Sequence, residues 1–313
     1  MTTVPLPPES QTTGREPQTA GPGPRTTGPA PRAGDSNPSA TGPGPRPTGG
    51  ASLPGDRADG DAPGHSLLAR LGKRVLRPGG AELTRVLLAR AEITGADVVE
   101  FAPGLGRTAR EILDRHPRSY LGVEQDPVAV AAVGRVVAGH GTAVLGDAAA
   151  TGLPDASADV VIGEAMLTMR SDWAKDTVVA EAARLLRPGG RYAIHELGLT
   201  PDSLPEPVKT GIRQALARAV KVNARPQTIT EWRSLLQAHG LVVERVDTAP
   251  MALLRPRRIV ADEGPLGALR FVRNLLANPD ARRRVLAMRR TFRLHRDHLI
   301  AVAVIARKPS PDP

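Results

Sequence analysis

A short glycine-rich segment between two apolar runs is the feature that most constrains the fold of this chain. The first run, residues 98–101, is followed by Ala102-Pro103-Gly104-Leu105-Gly106 and by a helical pattern over 108–115. The second run, residues 120–124, ends in a carboxylate eighteen residues after Gly106. This order of strand, glycine turn, helix and strand is typical of a βαβ unit.

The chemistry of that unit points to a ligand that carries a nucleoside. Glycines let the backbone approach a ligand closely, and a carboxylate at the end of the second strand can accept hydrogen bonds from two ribose hydroxyls. Two cofactor classes fit this pattern, S-adenosylmethionine and the nicotinamide dinucleotides.

Strand and helix patterns continue to alternate along the chain. The predicted strands are 98–101, 120–124, 142–145, 159–162 and 191–195, and the predicted helices between them are 108–115, 127–138 and 176–186. Alternation of this kind predicts an α/β fold with a parallel sheet covered on both faces. Beyond it we expect a helix over 230–239 with Thr228 or Thr230 as its N-cap, strands at 241–246 and 299–306, and a largely helical, basic segment between them.

Composition separates a tail from the folded part. Residues 1–64 are rich in proline, glycine and threonine and almost lack large apolar side chains, so we predict a disordered tail. The folded domain is predicted over 65–308, and 309–313 form a second tail. Cysteine is absent, which excludes disulfides and thiolate chemistry. No apolar run approaches the roughly 18 residues of a membrane span, and no secretory signal precedes the domain, so we expect a cytoplasmic protein.

The positive charge is concentrated near the C-terminus. The formal net charge is +10, and residues 251–313 carry thirteen arginines and one lysine against five acidic residues. Codon bias in a high-GC genome and a functional basic surface both explain this excess. Aromatic residues make up only 2% of the chain, which argues against platforms that stack single-stranded nucleic acid.

Five motifs in order resemble the class I S-adenosylmethionine-dependent methyltransferases, especially the small-molecule type that includes the ubiquinone/menaquinone C-methyltransferases. The motifs are Glu100-Phe101-Ala102-Pro103-Gly104-Leu105-Gly106, Gly122-Val123-Glu124, Gly146-Asp147-Ala148, the segment 158–165 and the segment 185–191. The resemblance covers residues from about 66 to 308. It implies a doubly wound, mostly parallel, seven-stranded Rossmann-like sheet with helical lid insertions.

The resemblance also implies roles for individual residues. Glu100 would order the glycine loop and offset the ammonium group of S-adenosylmethionine, and Glu124, followed by Gln125, would hold the ribose hydroxyls. Asp147 and Ala148 would lie along the adenine. The full set of implied cofactor-binding residues is Glu100, Ala102, Gly104, Gly106, Glu124, Gln125, Asp147, Ala148, Glu164 and Ala165.

Ala102 departs from the family pattern, because a glycine usually stands there. Alanine does not tolerate the positive-φ regions that are open to glycine. We therefore expect a stiffer start to the loop, with Gly104 and Gly106 still cradling the ligand.

The dinucleotide alternative rests on residues 104–109, which match the Gly-x-Gly-x-x-Gly/Ala fingerprint. Against it, neither Tyr120 nor Tyr192 has a lysine four residues later, so a Tyr-Lys reductase site is missing. The motifs at 158–165 and 185–191 are also left unexplained by a reductase.

Catalysis is less constrained by the sequence. His195 and Glu196 stand at the carboxyl end of the fifth predicted strand, where ligands bind in open α/β sheets. His195 is a candidate general base, and a histidine satisfied by the backbone is the alternative. Only one of the two side chains can face the pocket, because side chains alternate along a strand.

The remaining predictions concern the lid and the acceptor. Helices over 65–95 and the segments 200–228 and 250–296 would cover the site, and the methyl acceptor would be a small molecule, with an anionic group favoured if the basic segment lines the pocket. His295 and His298 share a helix face, but no third ligand is near in sequence, so no metal site is predicted. Met288 and Phe292 are expected to pack in the core rather than to line a substrate site.

Two further classes stay open: a nucleic-acid methyltransferase, which the C-terminal charge motivates, and a non-catalytic protein that binds a cofactor or a membrane surface through 282–296. The first lacks an Asn-Pro-Pro-aromatic signature, since Gly163-Glu164-Ala165-Met166 stands at that place. The sequence leaves the oligomeric state open.

Overall fold

The computed structural model describes residues 64–73 and 77–310, without the side chain of His65. The tail predicted over 1–64 lies, apart from Gly64, outside the described residues. The helices are α1 (Gly64–Arg70), α2 (Gly80–Arg90), α3 (Arg107–Leu113), α4 (Pro127–Val137), α5 (Asp172–Leu185), α6 (Glu206–Val220), α7 (Ile229–Ala238), α8 (Pro256–Ala277) and α9 (Pro279–Leu294). The strands are β1 (Asp97–Phe101), β2 (Ser119–Glu124), β3 (Thr142–Leu145), β4 (Ala158–Glu164), β5 (Leu186–Leu199), β6 (Gln227–Thr228), β7 (Val242–Pro250) and β8 (Leu299–Arg307).

One twisted sheet organises the molecule. Its strand order is β3-β2-β1-β4-β5-β8-β7, and the two-residue β6 pairs with β5 beside this path. The strands from β3 to β5 are parallel, whereas β8 runs antiparallel to both β5 and β7. The predicted doubly wound, mostly parallel α/β class is confirmed, and β6 is an addition that the sequence pattern did not predict.

Buried apolar side chains point to both faces of the sheet, which explains why helices cover both faces. In β1, Val99 and Phe101 belong to one buried cluster, and Val98 belongs to a second. In β4, Val161 faces the first cluster while Val160 faces the second. Successive side chains of a strand point to opposite faces, so a nearly continuous apolar run is buried on both sides.

Two smaller clusters lie under the helices that follow β5 and β7. Residues of α1, α8 and α9 form one of them, around Leu68, Phe271 and Met288, and residues of α6 and β5 form the other. The helix α8 is kinked at Gly264, whose φ is 72° and which precedes Pro265. The segments 200–228 and 250–296 contain α6, α8 and α9, and their role as lids stays a prediction. No helix within the described ranges is both long enough and apolar enough to span a bilayer.

Several predicted boundaries differ from the structure by a few residues, and hydrogen bonds explain two of them. The fifth strand was predicted over 191–195, but β5 extends over Leu186–Leu199, because the Gly189 amide donates to the Lys308 carbonyl and the Lys308 amide to the Gly190 carbonyl. The helix predicted over 176–186 begins four residues earlier, where the Ser171 side chain accepts from the Ala174 amide. Thr228 is the N-cap of α7 as predicted, and it forms a capping box with Glu231.

Candidate active site

The carboxyl ends of β1, β2 and β4 open onto a cleft of about 580 Å³. Each of these strands carries a glutamate at or next to its end, and all three glutamates line the cleft. Neighbouring parallel strands end at one edge of a sheet, which brings these side chains together. Seven of the ten residues predicted to bind a cofactor line this cleft: Glu100, Ala102, Gly104, Glu124, Gln125, Glu164 and Ala165.

Glu124 organises the glycine loop from the end of β2. Its Oε2 accepts a hydrogen bond from the Gly104 amide at 3.0 Å. Its Oε1 accepts from the Gln125 amide at 2.8 Å and from the Asp126 amide at 3.2 Å. A carboxylate has about four acceptor sites, so Oε2 keeps a lone pair toward the cleft. The side chain is therefore placed both to shape the loop and to accept a bond from a ligand hydroxyl.

Glu100 is buried in the floor of the cleft. The Tyr120 hydroxyl donates to its Oε2 at 2.7 Å, and burial raises the pKa of Glu100 to about 8. Gly122 makes this contact feasible, since a Cβ there would lie 2.9 Å from the Tyr120 hydroxyl and 3.1 Å from Pro103 Cγ. Glu100 is consequently protonated at neutral pH until a cation approaches it.

The glycine loop corrects the expectation for Ala102. Ala102 has a φ of 51°, in the left-handed region that we expected alanine to avoid, and its amide donates to the Val123 carbonyl at 2.8 Å. This conformation costs an L-residue about 1–2 kcal/mol. Gly104 and Gly106 have φ values of 57° and 71°. The loop therefore keeps the shape of a three-glycine turn, with strain at its first position.

Three predicted cofactor-binding residues lie outside the cleft. Gly106 faces α4, where a Cβ would lie 3.1 Å from Val136 Cγ2, so its role here is close helix packing. Asp147 is exposed and accepts from the Ala149 amide at 2.9 Å, and Ala148 is buried in the first core cluster. The adenine contacts implied for Asp147 and Ala148 remain predictions.

Glu164 is held by four neighbours. Thr84 donates to its Oε1 at 2.6 Å and Thr108 to its Oε2 at 2.5 Å, while His195 Nδ1 lies 2.9 Å from Oε1. The Nε of Arg77 lies 3.4 Å from Oε2. Burial opposes ionisation, but the charge of Arg77 and the bonds from His195 and Thr108 outweigh it and hold the pKa of Glu164 at about 2. Glu164 is a fixed negative charge of the cleft.

His195 is fully buried and does not line the cleft. The Gly79 amide donates to its Nε2 at 3.1 Å, which fixes the tautomer, because Nε2 then has no proton and Nδ1–H donates to Glu164. Both ring nitrogens are occupied. The geometry therefore favours a structural histidine, bonded to the backbone, over a general base. Through its two hydrogen bonds, His195 connects β5 to Glu164 and to the segment before α2.

Glu196 points to the opposite side of the sheet, as alternation requires. Its carboxylate accepts from the amides of Met166, Leu167 and Thr168 and from the Thr168 hydroxyl, at 2.7–3.0 Å. Burial raises the pKa of Glu196. All four bonds go to the turn after β4, so this carboxylate shapes that turn.

Arg77 is a cleft residue that sequence reasoning missed. It is 5% exposed and lines the cleft, with its Nη2 at 3.7 Å from Glu111 Oε1. Within the described part of the chain, neither Nη1 nor Nη2 has a hydrogen-bond partner. A buried cation with unfilled donors needs an anionic or carbonyl ligand. The only sequence signal was an arginine directly before Pro78-Gly79-Gly80, which resembles an ordinary helix break.

A second cavity adjoins the cleft and shares Ala165, Met169 and Val222 with it. Met288 belongs to a core cluster and Phe292 packs against it, as predicted, and both also line this cavity. Arg255 and Arg257 are exposed and do not line it. The segment 250–296 therefore lines this cavity with apolar side chains and not with its arginines.

Comparisons with known proteins agree with this fold. Residues 99–194 match a family model described as a methyltransferase domain. An uncharacterised protein of Haemophilus influenzae is 34% identical over 252 residues, which are 77% of this chain and 97% of that protein.

Two solved structures share the fold at low sequence identity. Phosphoethanolamine N-methyltransferase 2 of Haemonchus contortus, solved with phosphomonomethylethanolamine and S-adenosylhomocysteine, aligns with a TM-score of 0.61 and 17% identity over 82% of this chain and 59% of that one. The [4+2]-cyclase SpnF aligns with a TM-score of 0.60 and 15% identity over 79% of this chain and 94% of that one. The chain therefore belongs to one family with the Haemophilus influenzae protein, and it contains a methyltransferase domain with the fold of the S-adenosylmethionine-dependent methyltransferases.

Proposed function

We propose that this protein transfers the methyl group of S-adenosylmethionine to a small-molecule acceptor. The observation that carries the proposal is the pair of adjoining cavities. The cleft at the ends of β1, β2 and β4 is lined by charged residues, and the second cavity meets it at Ala165, Met169 and Val222. A cofactor in the first and an acceptor in the second would meet at these three residues.

The residues of the cleft fit the charges of S-adenosylmethionine. The unfilled donors of Arg77 suit the carboxylate of its methionine part, since arginine and carboxylate form strong paired hydrogen bonds. Glu164 and Glu100 supply negative charge for its ammonium group. Glu124 keeps an acceptor site for a ribose hydroxyl. Four side chains of one cleft thus match three parts of the cofactor: its carboxylate, its ammonium group and its ribose.

When bound, the cofactor would supply a methyl group on a sulfonium: an electron pair of the acceptor would form the new bond to carbon, the S–C electron pair would stay with sulfur to release S-adenosylhomocysteine, and a proton on the attacking atom would leave to solvent. The chain's part is to align two ligands and to exclude water, and proximity of this kind can provide most of the rate enhancement. Glu196 is the titratable side chain among the described residues of the second cavity, and its four bonds leave it unsuited to act as a base.

A small acceptor is favoured over a nucleic acid by the position of the charges. Arg282, Arg283, Arg290 and Arg293 are exposed on α9, whereas the cavity beside the cleft is lined by the opposite, apolar side of that helix. The likeness to the quinone C-methyltransferases stays a prediction.

Turnover of labelled cofactor tests the proposal. The protein is incubated with S-adenosylmethionine that carries a deuterated methyl group and with a fractionated extract of small metabolites, and mass spectrometry follows S-adenosylhomocysteine and labelled product. We expect both to form in equal amounts and to be lost in Arg77→Gln but retained in Arg273→Gln, an exposed arginine of α8. Tight cofactor binding without any loss of the methyl group would contradict methyl transfer and favour use of the fold for a different reaction.

A further inference from the structure

The chemistry of the second cavity limits what the acceptor can be. This cavity lies between the turn after β4, the end of β5 and the inner sides of α1, α6 and α9. α1 packs closely on its roof, since a Cβ at Gly64 would lie 3.1 Å from Met288 Sδ. The space therefore lies among packed elements and adjoins the cleft.

The volume limits the size of an occupant. The cavity measures about 100 Å³, against about 580 Å³ for the adjoining cleft. It therefore suits an occupant smaller than the ligand of the cleft.

Polarity limits the charge of an occupant. Of the side chains that line the cavity, Leu216, Met251, Leu253, Met288 and Phe292 are apolar, and no arginine or lysine of the described residues lines it. The carboxylate of Glu196 is held by four donors of the turn after β4 and has no capacity left for a cation. An unpaired charge in such a space would lose its hydration without compensation.

Methionine side chains form an unusually large part of the wall of this cavity. Three methionines, Met169, Met251 and Met288, face it from three separate elements. Methionine adapts to irregular apolar ligands, because its side chain is unbranched and polarizable. Phe292 is half-buried at the edge, where it can select occupants by shape.

From these observations we infer that the methyl acceptor is a small, uncharged, largely apolar molecule, and that Phe292 and Met288 determine which molecules are accepted. The inference deepens the proposed methyl transfer and depends on it. The acceptor's nucleophilic atom would be directed toward Ala165, where the two cavities meet, and its apolar part toward α9.

Calorimetric titration of four probes of similar size tests the inference. The full-length protein is first saturated with S-adenosylhomocysteine, then titrated with 4-methylphenol, indole, 4-methylbenzoate and 4-methylbenzylammonium. We expect the two neutral probes to bind with a Kd below about 1 mM, as good ligands of this size do, and the two charged probes to bind at least tenfold more weakly. Equal binding of a charged probe, or no binding of either neutral probe, would overturn the inference.

Two variants locate the binding. Phe292→Asp places a charge at the cavity and should weaken neutral-probe binding at least tenfold, whereas Leu294→Asp, on the exposed side of the same helix, should leave it unchanged. If Phe292→Asp does not fold, Ala224→Met, which fills the cavity from another element, gives the same test. Unchanged binding in a folded cavity variant would overturn the assignment. The preceding titration with S-adenosylhomocysteine is a separate readout: its failure would refute the cofactor proposal instead.

Discussion

Replacing His195 by asparagine distinguishes a catalytic role of this side chain as a base from a purely structural role. The amide nitrogen of asparagine can occupy the place of His195 Nδ1 and continue to donate to Glu164, but nothing then accepts from the Gly79 amide, now bonded at 3.1 Å to Nε2. Asparagine has no proton to gain or lose. The substitution therefore removes any acid–base capacity while it keeps one of the two ring contacts.

The expected cost follows from the contacts. A buried amide left without an acceptor costs about 1–3 kcal/mol, so His195→Asn should lower the free energy of unfolding by that amount. His195→Ala also removes the donor to Glu164 and leaves a cavity at a fully buried site, so about 3–5 kcal/mol is expected, in the range for large-to-small core substitutions. If His195 only holds other groups in place, the kcat of the folded asparagine variant should fall less than about tenfold, whereas loss of a general base costs about 10²–10⁴-fold.

Urea unfolding measures the free energy of unfolding. Transfer of the labelled methyl group at saturating cofactor measures kcat over pH 6–9. The pH profile should keep its shape in His195→Asn, because this side chain then takes no part in proton transfer. A hundredfold loss of kcat in a folded variant, together with loss of one limb of the pH profile, would refute the structural role and restore the base.

Three other predictions rest on the cleft. Ala102→Gly should stabilise the protein by about 0.5–1 kcal/mol in urea unfolding, because the strain of the left-handed conformation exceeds the entropy cost of glycine. Ala109→Gly, inside α3, should destabilise the protein by about 1 kcal/mol. Destabilisation by Ala102→Gly together with stabilisation by Ala109→Gly would contradict this. Arg77→Gln should weaken S-adenosylhomocysteine about 10–100-fold, as for hydrogen bonds to a charged group, yet leave 5′-methylthioadenosine, which lacks the amino acid part, unaffected; equal losses for both ligands would exclude carboxylate recognition. The raised pKa of Glu100, about 8, leaves it protonated at pH 7, so an arriving ammonium should expel a proton; calorimetry in buffers of different ionisation enthalpy should detect this release in the native protein and not in Glu100→Gln.

The strand and motif pattern predicted the fold well because it depends on local sequence. Apolar runs near 98–101 and 120–124 each became a strand of the expected type, and Glu124 reached the cleft through its position at a strand end. The features that the sequence did not predict depend on distant partners. The tautomer of His195 is fixed by an amide 116 residues away, and the full length of β5 depends on bonds from Lys308.

The cavities were harder to predict for the same reason. The basic segment 250–296 was expected to bring charge to the acceptor, but an amphipathic helix has two sides, and only packing decides which side faces inward. In α9 the inner side carries Met288 and Phe292, and the arginines face outward. Arg77 became a cleft residue through the fold around Pro78-Gly79-Gly80, which no periodicity reveals.

Calorimetry of the purified protein with S-adenosylhomocysteine and, separately, with NADH and NADPH tests the central claim most directly. We predict a micromolar Kd for S-adenosylhomocysteine alone, raised at least tenfold in Glu124→Gln, which loses one of two carboxylate oxygens, and unchanged in Asp176→Asn, an exposed carboxylate on α5. Binding of a nicotinamide cofactor in place of S-adenosylhomocysteine would contradict the account and assign the cleft to a dinucleotide.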